Sequence, residues 1–267
     1  MTLDVSWSLN PVAIVLAAAA WVAYFVAWRG ARRRPRETEP GDARLACMSG
    51  AVLLALVALV SPIARLGEQM FGFHMIQHLL LLDLVPILVV FAITAEVLGP
   101  ALEPLRRLER RLRFLLHPVT VIALYAGGMW VLHIRPMYEL ALGSGGWHAL
   151  QHGWLLLTGL LFWWYAVGAI RPLQRPRGMG VFGFVTATKL LTGGLATAIL
   201  GTTIAHYPWY ENAPRLAGMD VGEDRGLAGG LMLFEELVVL SVALGIMFIR
   251  MLDESEEEER ELDAAHP

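Results

Sequence analysis

Residues 73–86 read FHMIQHLLLLDLVP and place two histidines four residues apart at the start of a long apolar run. An α-helix advances 3.6 residues per turn, so His74 and His78 lie on one helical face, one turn apart. The pattern His-x-x-Gln-His recurs at His148 and His152, again before an apolar run. Two imidazoles at this spacing can bind one metal ion, so the two pairs predict a shared site if their helices face each other.

The chain as a whole is too apolar for an ordinary soluble domain. Of its 267 residues, 56% are hydrophobic and 17% are charged. Apolar segments recur along the entire length, which indicates a multi-pass protein of the lipid bilayer with no nucleic-acid partner. The single cysteine, Cys47, excludes an internal disulfide and a Cys-x-x-Cys metal site. The first ten residues carry no basic side chain, so we expect no cleavable signal peptide.

Seven apolar segments approach the roughly 20 residues that a helix needs to cross the bilayer core. They are about 11–28, 45–64, 71–97, 117–134, 147–170, 181–204 and 226–249. The predicted fold class is therefore all-α, a seven-transmembrane-helix bundle that forms a single domain over residues 1–252. Residues 253–267 are strongly acidic and predict a disordered cytoplasmic tail.

The arginines predict the orientation of this bundle. The connectors after the first, third and fifth segments hold six, five and three arginines, and the other three connectors hold one, one and two. The positive-inside rule therefore puts the N-terminus outside and the C-terminus in the cytoplasm. Six of the eight histidines then lie at the outer face. They are His74, His78, His133, His148, His152 and His206.

The predicted metal ligands form two groups. The first group consists of the two helical pairs, His74, His78, His148 and His152. The second group holds further candidates at or below the outer face, His133, His206 and Glu235. Imidazole together with thioether donors suits copper, and Met70 and Met129 each lie one helical turn before a histidine. Imidazole alone also suits zinc or iron.

Further ionisable residues lie inside the predicted spans. Asp83 follows His78 by five residues, which rotates it about 140° from the histidine stripe, so we expect it to contact another helix. Lys189 is expected to pair with a carboxylate or to extend towards the inner interface. Glu235 and Glu236 enter the seventh segment near mid-membrane, where polar groups usually mark function.

These motifs resemble those of the polytopic cytochrome c oxidase assembly factor family CtaG, found with bacterial caa-type oxidases. The resemblance covers roughly residues 45–250 and rests on four segments. They are 74–80 with Pro86, 148–152 followed by 159–164, 207–210 and 224–226. It implies a multi-pass protein of the bacterial inner membrane that helps to mature a haem–copper oxidase. It also implies copper as the ligand, with oxidase subunits or other copper-delivery factors as partners.

We therefore interpret the chain as an assembly factor that binds copper at an outward-facing histidine cluster. A chaperone needs exchangeable ligation and no turnover chemistry, so no enzymatic activity is expected. Two alternatives stay open. A b-type haem protein would use histidines from facing helices as axial ligands. A metal or proton transporter would use Asp83, Lys189 and the two glutamates to line a path.

Overall fold

The computed structural model of the protein describes residues 3–34, 40–202, 205–216 and 218–265. Helix accounts for 78% of it, and this described part contains no strand, which confirms the all-α class. The helices are α1 (Pro11–Arg32), α2 (Asp42–Val60), α3 (Pro62–Gly67), α4 (Phe71–Leu79), α5 (Val85–Ala92), α6 (Ala95–Leu98), α7 (Leu102–Arg111), α8 (Pro118–Ile122), α9 (Gly128–Leu132), α10 (Arg135–Gly143), α11 (Gly145–Val167), α12 (Met179–Gly201) and α13 (Val221–Ala265). Two π-helical turns, Leu80–Leu84 and Ala123–Gly127, join α4 to α5 and α8 to α9.

Five helical segments within these residues are long and apolar enough to cross a membrane. They are Pro11–Arg32, Asp42–Val60, Phe71–Ala92, Met179–Gly201 and Val221–Gly245. Pro118–Leu132 and Arg135–Gly143 make a sixth if they form one span, which is bent by 77°. The segment predicted at 147–170 corresponds to α11, which has 23 residues and starts with a polar turn. The count of seven spans therefore stays a prediction.

The third span consists of α4, the π turn Leu80–Leu84 and α5. Pro86 in α5 has no N–H, and its ring would clash with the carbonyl of Leu82 in a regular α-helix. The π turn lies just before this proline and interrupts the regular ladder there. The Leu82 carbonyl lies directly against Gly159 of α11. A Cβ atom at residue 159 would overlap this carbonyl oxygen and would lie 2.8 Å from the Pro86 ring. The proline break and the glycine together allow α11 to pack closely on the third span.

The centre of the bundle is built from the third span, the π turn Ala123–Gly127, α11, α12 and α13. Tyr125, Leu155 and Phe162 are fully buried there. Helices α1 and α2 lie at the side of this core, and the Tyr24 hydroxyl of α1 donates to the Ala92 carbonyl over 2.9 Å. The third span is thus enclosed by other helices.

The basic connectors meet at one end of the bundle. Arg106 donates to the Arg171 carbonyl over 2.7 Å, and Gln174 donates to the Arg113 carbonyl over 2.6 Å. Arg44 also donates to the carbonyl of Phe91, near the end of the third span. These contacts join three arginine-rich connectors to the end of the third span opposite His74.

The acidic C-terminal segment follows the last membrane helix without a break. Helix α13 continues through it to Ala265, and the disorder of this segment stays a prediction. Glutamate is a good helix former, so the acidic composition does not interrupt the helix that precedes it. The division of the chain at residue 252 stays a prediction.

Candidate metal centre

The two histidine pairs come together. The ring centroids of His74 and His78 on α4 lie 4.2 Å apart, and those of His148 and His152 on α11 lie 4.3 Å apart. Between the helices, His74 lies 5.5 Å from His148 and His78 lies 6.1 Å from His152. The four rings therefore form a quadrilateral between the third span and α11, as the repeated motif predicted.

His133 joins this quadrilateral from a third direction. It follows α9 directly, and its ring centroid lies 5.9 Å from that of His78. Its Nδ1 lies 2.7 Å from the Met129 carbonyl oxygen. A carbonyl only accepts, so Nδ1 carries the proton in a neutral ring, and Nε2 of His133 keeps its lone pair free for a ligand. This arrangement is the usual one behind a metal-binding histidine.

The cluster presents many nitrogen atoms that lack hydrogen bonds. His74, His78 and His133 are 0%, 1% and 4% exposed. The Nε2 atoms of all five rings are buried and have no hydrogen-bonding partner among the described residues. Leaving such atoms unsatisfied costs roughly 1–3 kcal/mol each, so these five nitrogens are suited to bind a group that contacts them.

Imidazole rings are suitable metal ligands, but the ring nitrogens of this cluster do not converge on one point. Two imidazoles on one ion at about 2.0–2.1 Å would have centroids roughly 5–6 Å apart. The distances of 5.5–6.1 Å between helices match this spacing, whereas the 4.2 and 4.3 Å within the two pairs are shorter. Within the described part of the chain, however, no three His, Cys, Asp or Glu side chains already form a ligating group. Binding would therefore require the rings to rotate about their side-chain bonds.

The first turn of α4 is held by a carboxylate from another helix. Asp224 of α13 is 2% exposed and accepts from the backbone N–H of Phe71 over 2.8 Å and of Gly72 over 2.9 Å. The N-cap residue of α4, Met70, makes no such bond with its side chain. Anions are favoured at helix N-termini, so Asp224 fixes the position of the helix that carries His74 and His78.

Aromatic side chains cover the cluster. The buried ring of Tyr138 lies 4.9 Å from that of His74 and stacks on Tyr207 at 3.9 Å. The Tyr207 hydroxyl donates to the His133 carbonyl over 2.8 Å. Burial raises the pKa of Tyr207 well above its usual range, so this hydroxyl stays protonated and can donate. These contacts restrain His133 and limit access of water to the rings.

A cavity of about 310 Å³ adjoins the cluster at His133. It lies between α9, α10, α12 and the connector after α12, and Arg135, Leu195 and Tyr207 are among its lining residues. Trp130 and Ile134 also line it and are partly exposed to the surroundings, at 37% and 53%. The cavity therefore offers a route between the exterior of the bundle and His133.

Two predicted ligands lie apart from the cluster. His206 is in the connector after α12, where its Nε2 lies 2.8 Å from a Glu211 carboxylate oxygen and its side chain is 46% exposed. Glu235 lies 3.0 Å from Lys189 Nζ. Neither side chain lies at the histidine rings. The sequence predicted the membrane depth of these two residues but not the direction in which each side chain points.

Asp83 contacts other helices, as predicted from its angle to the histidines. Its carboxylate accepts from Tyr125, Trp163 and Lys189 over 2.9–3.1 Å. Sequence reasoning missed Tyr138 and the capping role of Asp224. The only sequence signal for Asp224 was its place in the Asp224-Arg225-Gly226 segment before an apolar helix, and Tyr138 had none.

Comparison with known proteins gives a family match. The family described as "Cytochrome c oxidase caa3 assembly factor" matches residues 22–254, which confirms the resemblance seen in the sequence. An uncharacterised protein of Mycobacterium leprae is 26% identical over 80% of this chain, and one of Mycobacterium bovis is 25% identical over 90% of it. The chain spans only 35% and 38% of the length of these two relatives. No solved structure gives a significant match.

Proposed function

The chain belongs to the cytochrome c oxidase caa3 assembly factor family, and from this premise we propose that it binds copper and assists its delivery to a haem–copper oxidase. The observation that carries the proposal is the cluster of five histidines whose buried Nε2 atoms have no hydrogen-bonding partner among the described residues. Imidazole is a good copper ligand, and Met129, one helical turn before His133, carries a softer thioether donor. The proposed ligands are His74, His78, His133, His148 and His152.

The packing of the rings favours a single ion over a haem. His78 and His152 face each other at 6.1 Å, which suits two axial ligands. A haem macrocycle between them would need a ring-sized gap, and three further histidines lie around this pair. A small ion needs only reorientation of the rings. The cluster therefore supports copper ligation better than axial haem ligation.

We also propose seven spans, with the cluster at the outer side of a bacterial inner membrane. Helix α11 has 23 residues, about 35 Å at 1.5 Å per residue, which is enough to cross the hydrocarbon core. It packs along the third span, and its polar start belongs to the histidine cluster. The arginine-rich connectors meet at the opposite end of the third span, as the positive-inside rule requires for an outer cluster.

Delivery requires that the ion can leave. His148 and His152 are only partly buried, and His133 borders the cavity between α9, α10 and α12. Both features let a ligand be exchanged without unfolding the bundle. We propose that copper reaches and leaves the cluster on this side, and that oxidase subunits or other copper-delivery factors contact it there.

Metal content and visible spectrum of the detergent-purified protein test the proposal. We expect Cu(I) to bind stoichiometrically to the wild type and at least tenfold more weakly to the double variant His78→Ala/His152→Ala. The matched control is His117→Ala/His206→Ala, which removes two histidines outside the cluster. Equal copper retention in both double variants would contradict the site. A haem absorption band in the wild type that the first variant loses would instead support the haem alternative.

A further inference from the structure

A second polar cluster lies deeper in the bundle and is not part of the histidine site. Lys189 of α12 is 0% exposed, and its Nζ lies 3.1 Å from Asp83, 3.0 Å from Glu235 and 3.5 Å from Glu236. The Tyr125 hydroxyl also lies 3.0 Å from Nζ. Three carboxyl groups, one ammonium and one phenol thus meet in the interior, contributed by the third span, the π turn Ala123–Gly127, α12 and α13.

The charges of this cluster do not balance. If all three carboxyl groups were ionised, they would outnumber the single ammonium by two negative charges. An uncompensated charge is very costly in the interior of a membrane protein. The ammonium of Lys189 already occupies the central position where a metal cation would lie. Protons on the carboxyl groups are therefore the remaining means of neutralising the excess.

The hydrogen bonds indicate which carboxyl group stays ionised. Asp83 accepts from Tyr125, from the Trp163 indole N–H over 3.0 Å and from Lys189. Several donors on one carboxylate favour its charged form. The Glu236 side chain is buried, at 6% exposed, and points at Lys189, yet its Oε2 accepts no hydrogen bond within the described part of the chain. Asp83 and Lys189 therefore form the fixed ion pair, and the excess charge falls on the two glutamates.

We propose that Glu235 and Glu236 form a proton-binding site in the membrane interior, held against the Asp83–Lys189 ion pair. Like charges on neighbouring carboxyl groups cannot both persist in such a setting, so the pair holds at least one proton at neutral pH. The Glu235 side chain is 16% exposed, whereas that of Glu236 is 6% exposed. Glu236 is thus the more enclosed member of the pair, beside the Lys189 ammonium.

The backbone around the cluster supports a functional role. Asp83 lies in the π turn Leu80–Leu84 and Tyr125 in the π turn Ala123–Gly127, and the two side chains are hydrogen-bonded to each other. π turns are uncommon and occur frequently at functional sites. Two of them meet here: one carries the carboxylate of the ion pair, and the other carries the phenol that donates to it.

Infrared spectroscopy of the purified protein tests the inference, because a protonated carboxyl group has a carbonyl stretch that a carboxylate lacks. We expect the wild type at neutral pH to show this band, shifted in D₂O, and the variant Glu235→Gln/Glu236→Gln to lose it. The matched control Glu139→Gln removes a partly exposed carboxylate that pairs with Arg135 outside this cluster, and it should keep the band.

The wild-type spectrum decides the question even if the double variant does not fold. Absence of a protonated carboxyl band at neutral pH would overturn the proposal, and so would its persistence in Glu235→Gln/Glu236→Gln. Loss of the band in Glu236→Gln alone would support it and would place the proton on Glu236. Copper content plays no part in this readout, so its outcome is independent of the histidine site.

Discussion

Gly159 permits the close approach between α11 and the third span, and Gly159→Ala tests whether this approach builds the site. A Cβ atom at this position would overlap the Leu82 carbonyl oxygen. That oxygen belongs to the backbone and cannot rotate away as the end of a side chain could. Gly153 on the same helix is the matched control, because a Cβ atom there meets nothing within 4 Å.

The expected magnitude follows from the difference between the two variants. Gly→Ala within a helix usually adds about 0.5–1 kcal/mol to stability, and this gain is common to Gly153→Ala and Gly159→Ala. Overpacking of a tight contact costs about 1–3 kcal/mol. The free energy of unfolding of Gly159→Ala should therefore lie about 1–3 kcal/mol below that of Gly153→Ala, measured by equilibrium unfolding in detergent micelles.

The same substitution should weaken copper binding. Gly159 follows His152 by seven residues, which is 700° of helical rotation and leaves the two about 20° apart on one face. Moving α11 away from the third span at Gly159 therefore also moves His152 away from His78. We expect Gly159→Ala to bind Cu(I) more weakly than Gly153→Ala. Equal stability and equal copper affinity of the two variants would refute the reasoning.

Three further substitutions test the remaining supports of the site. Asp224→Ala leaves two helix N–H groups without their acceptor, at about 1–3 kcal/mol each, so its unfolding free energy should fall well below that of the exposed control Glu103→Ala. Tyr207→Phe removes the donor to the His133 carbonyl and should cost about 1 kcal/mol in the same unfolding assay, with faster release of copper to a chelator. His206→Ala should leave Cu(I) affinity unchanged, and a loss would place that histidine in the site.

The features that follow from local periodicity could be predicted from the sequence. The recurring apolar segments gave the all-helical fold, and the i, i+4 histidines gave two faces with paired rings. The third and fifth segments cross the membrane in the same direction and each begins with a histidine pair, which predicts both pairs at the same depth. That the pairs then meet depends on the contact at Gly159, which the sequence showed only as a small residue.

Breaks within the spans were harder to predict. The predicted fourth segment ends at a 77° bend between Leu132 and Arg135, where Ile134 adopts an extended conformation. Pro136 was the signal for this bend, because proline is favoured in the first turn of a helix and disfavours helix before it. The bend brings Tyr138 over the histidines, so a residue with no motif of its own became part of the site.

The direction in which a side chain points about the helix axis was the other feature that the sequence did not predict. Glu235 lies at a depth from which it could have approached the histidines, but the packing of α13 on α12 turns it to Lys189. Asp224, eleven residues earlier on α13, instead reaches the start of α4. Neither orientation follows from hydropathy, since α13 has polar groups on more than one face.

The third span and the segment Pro118–Leu132 each support both the histidine cluster and the second polar cluster around Lys189. The third span carries His78 towards α11 and Asp83 towards Lys189, with a π turn beginning two residues after the histidine. The segment Pro118–Leu132 likewise carries Tyr125 to the second polar cluster and holds His133, which directly follows it, at the histidines. A helix enclosed on several sides can serve two sites with different faces. A movement of either segment as a rigid unit that opens the histidine cluster is therefore expected to alter the contacts of the Asp83–Lys189 ion pair as well.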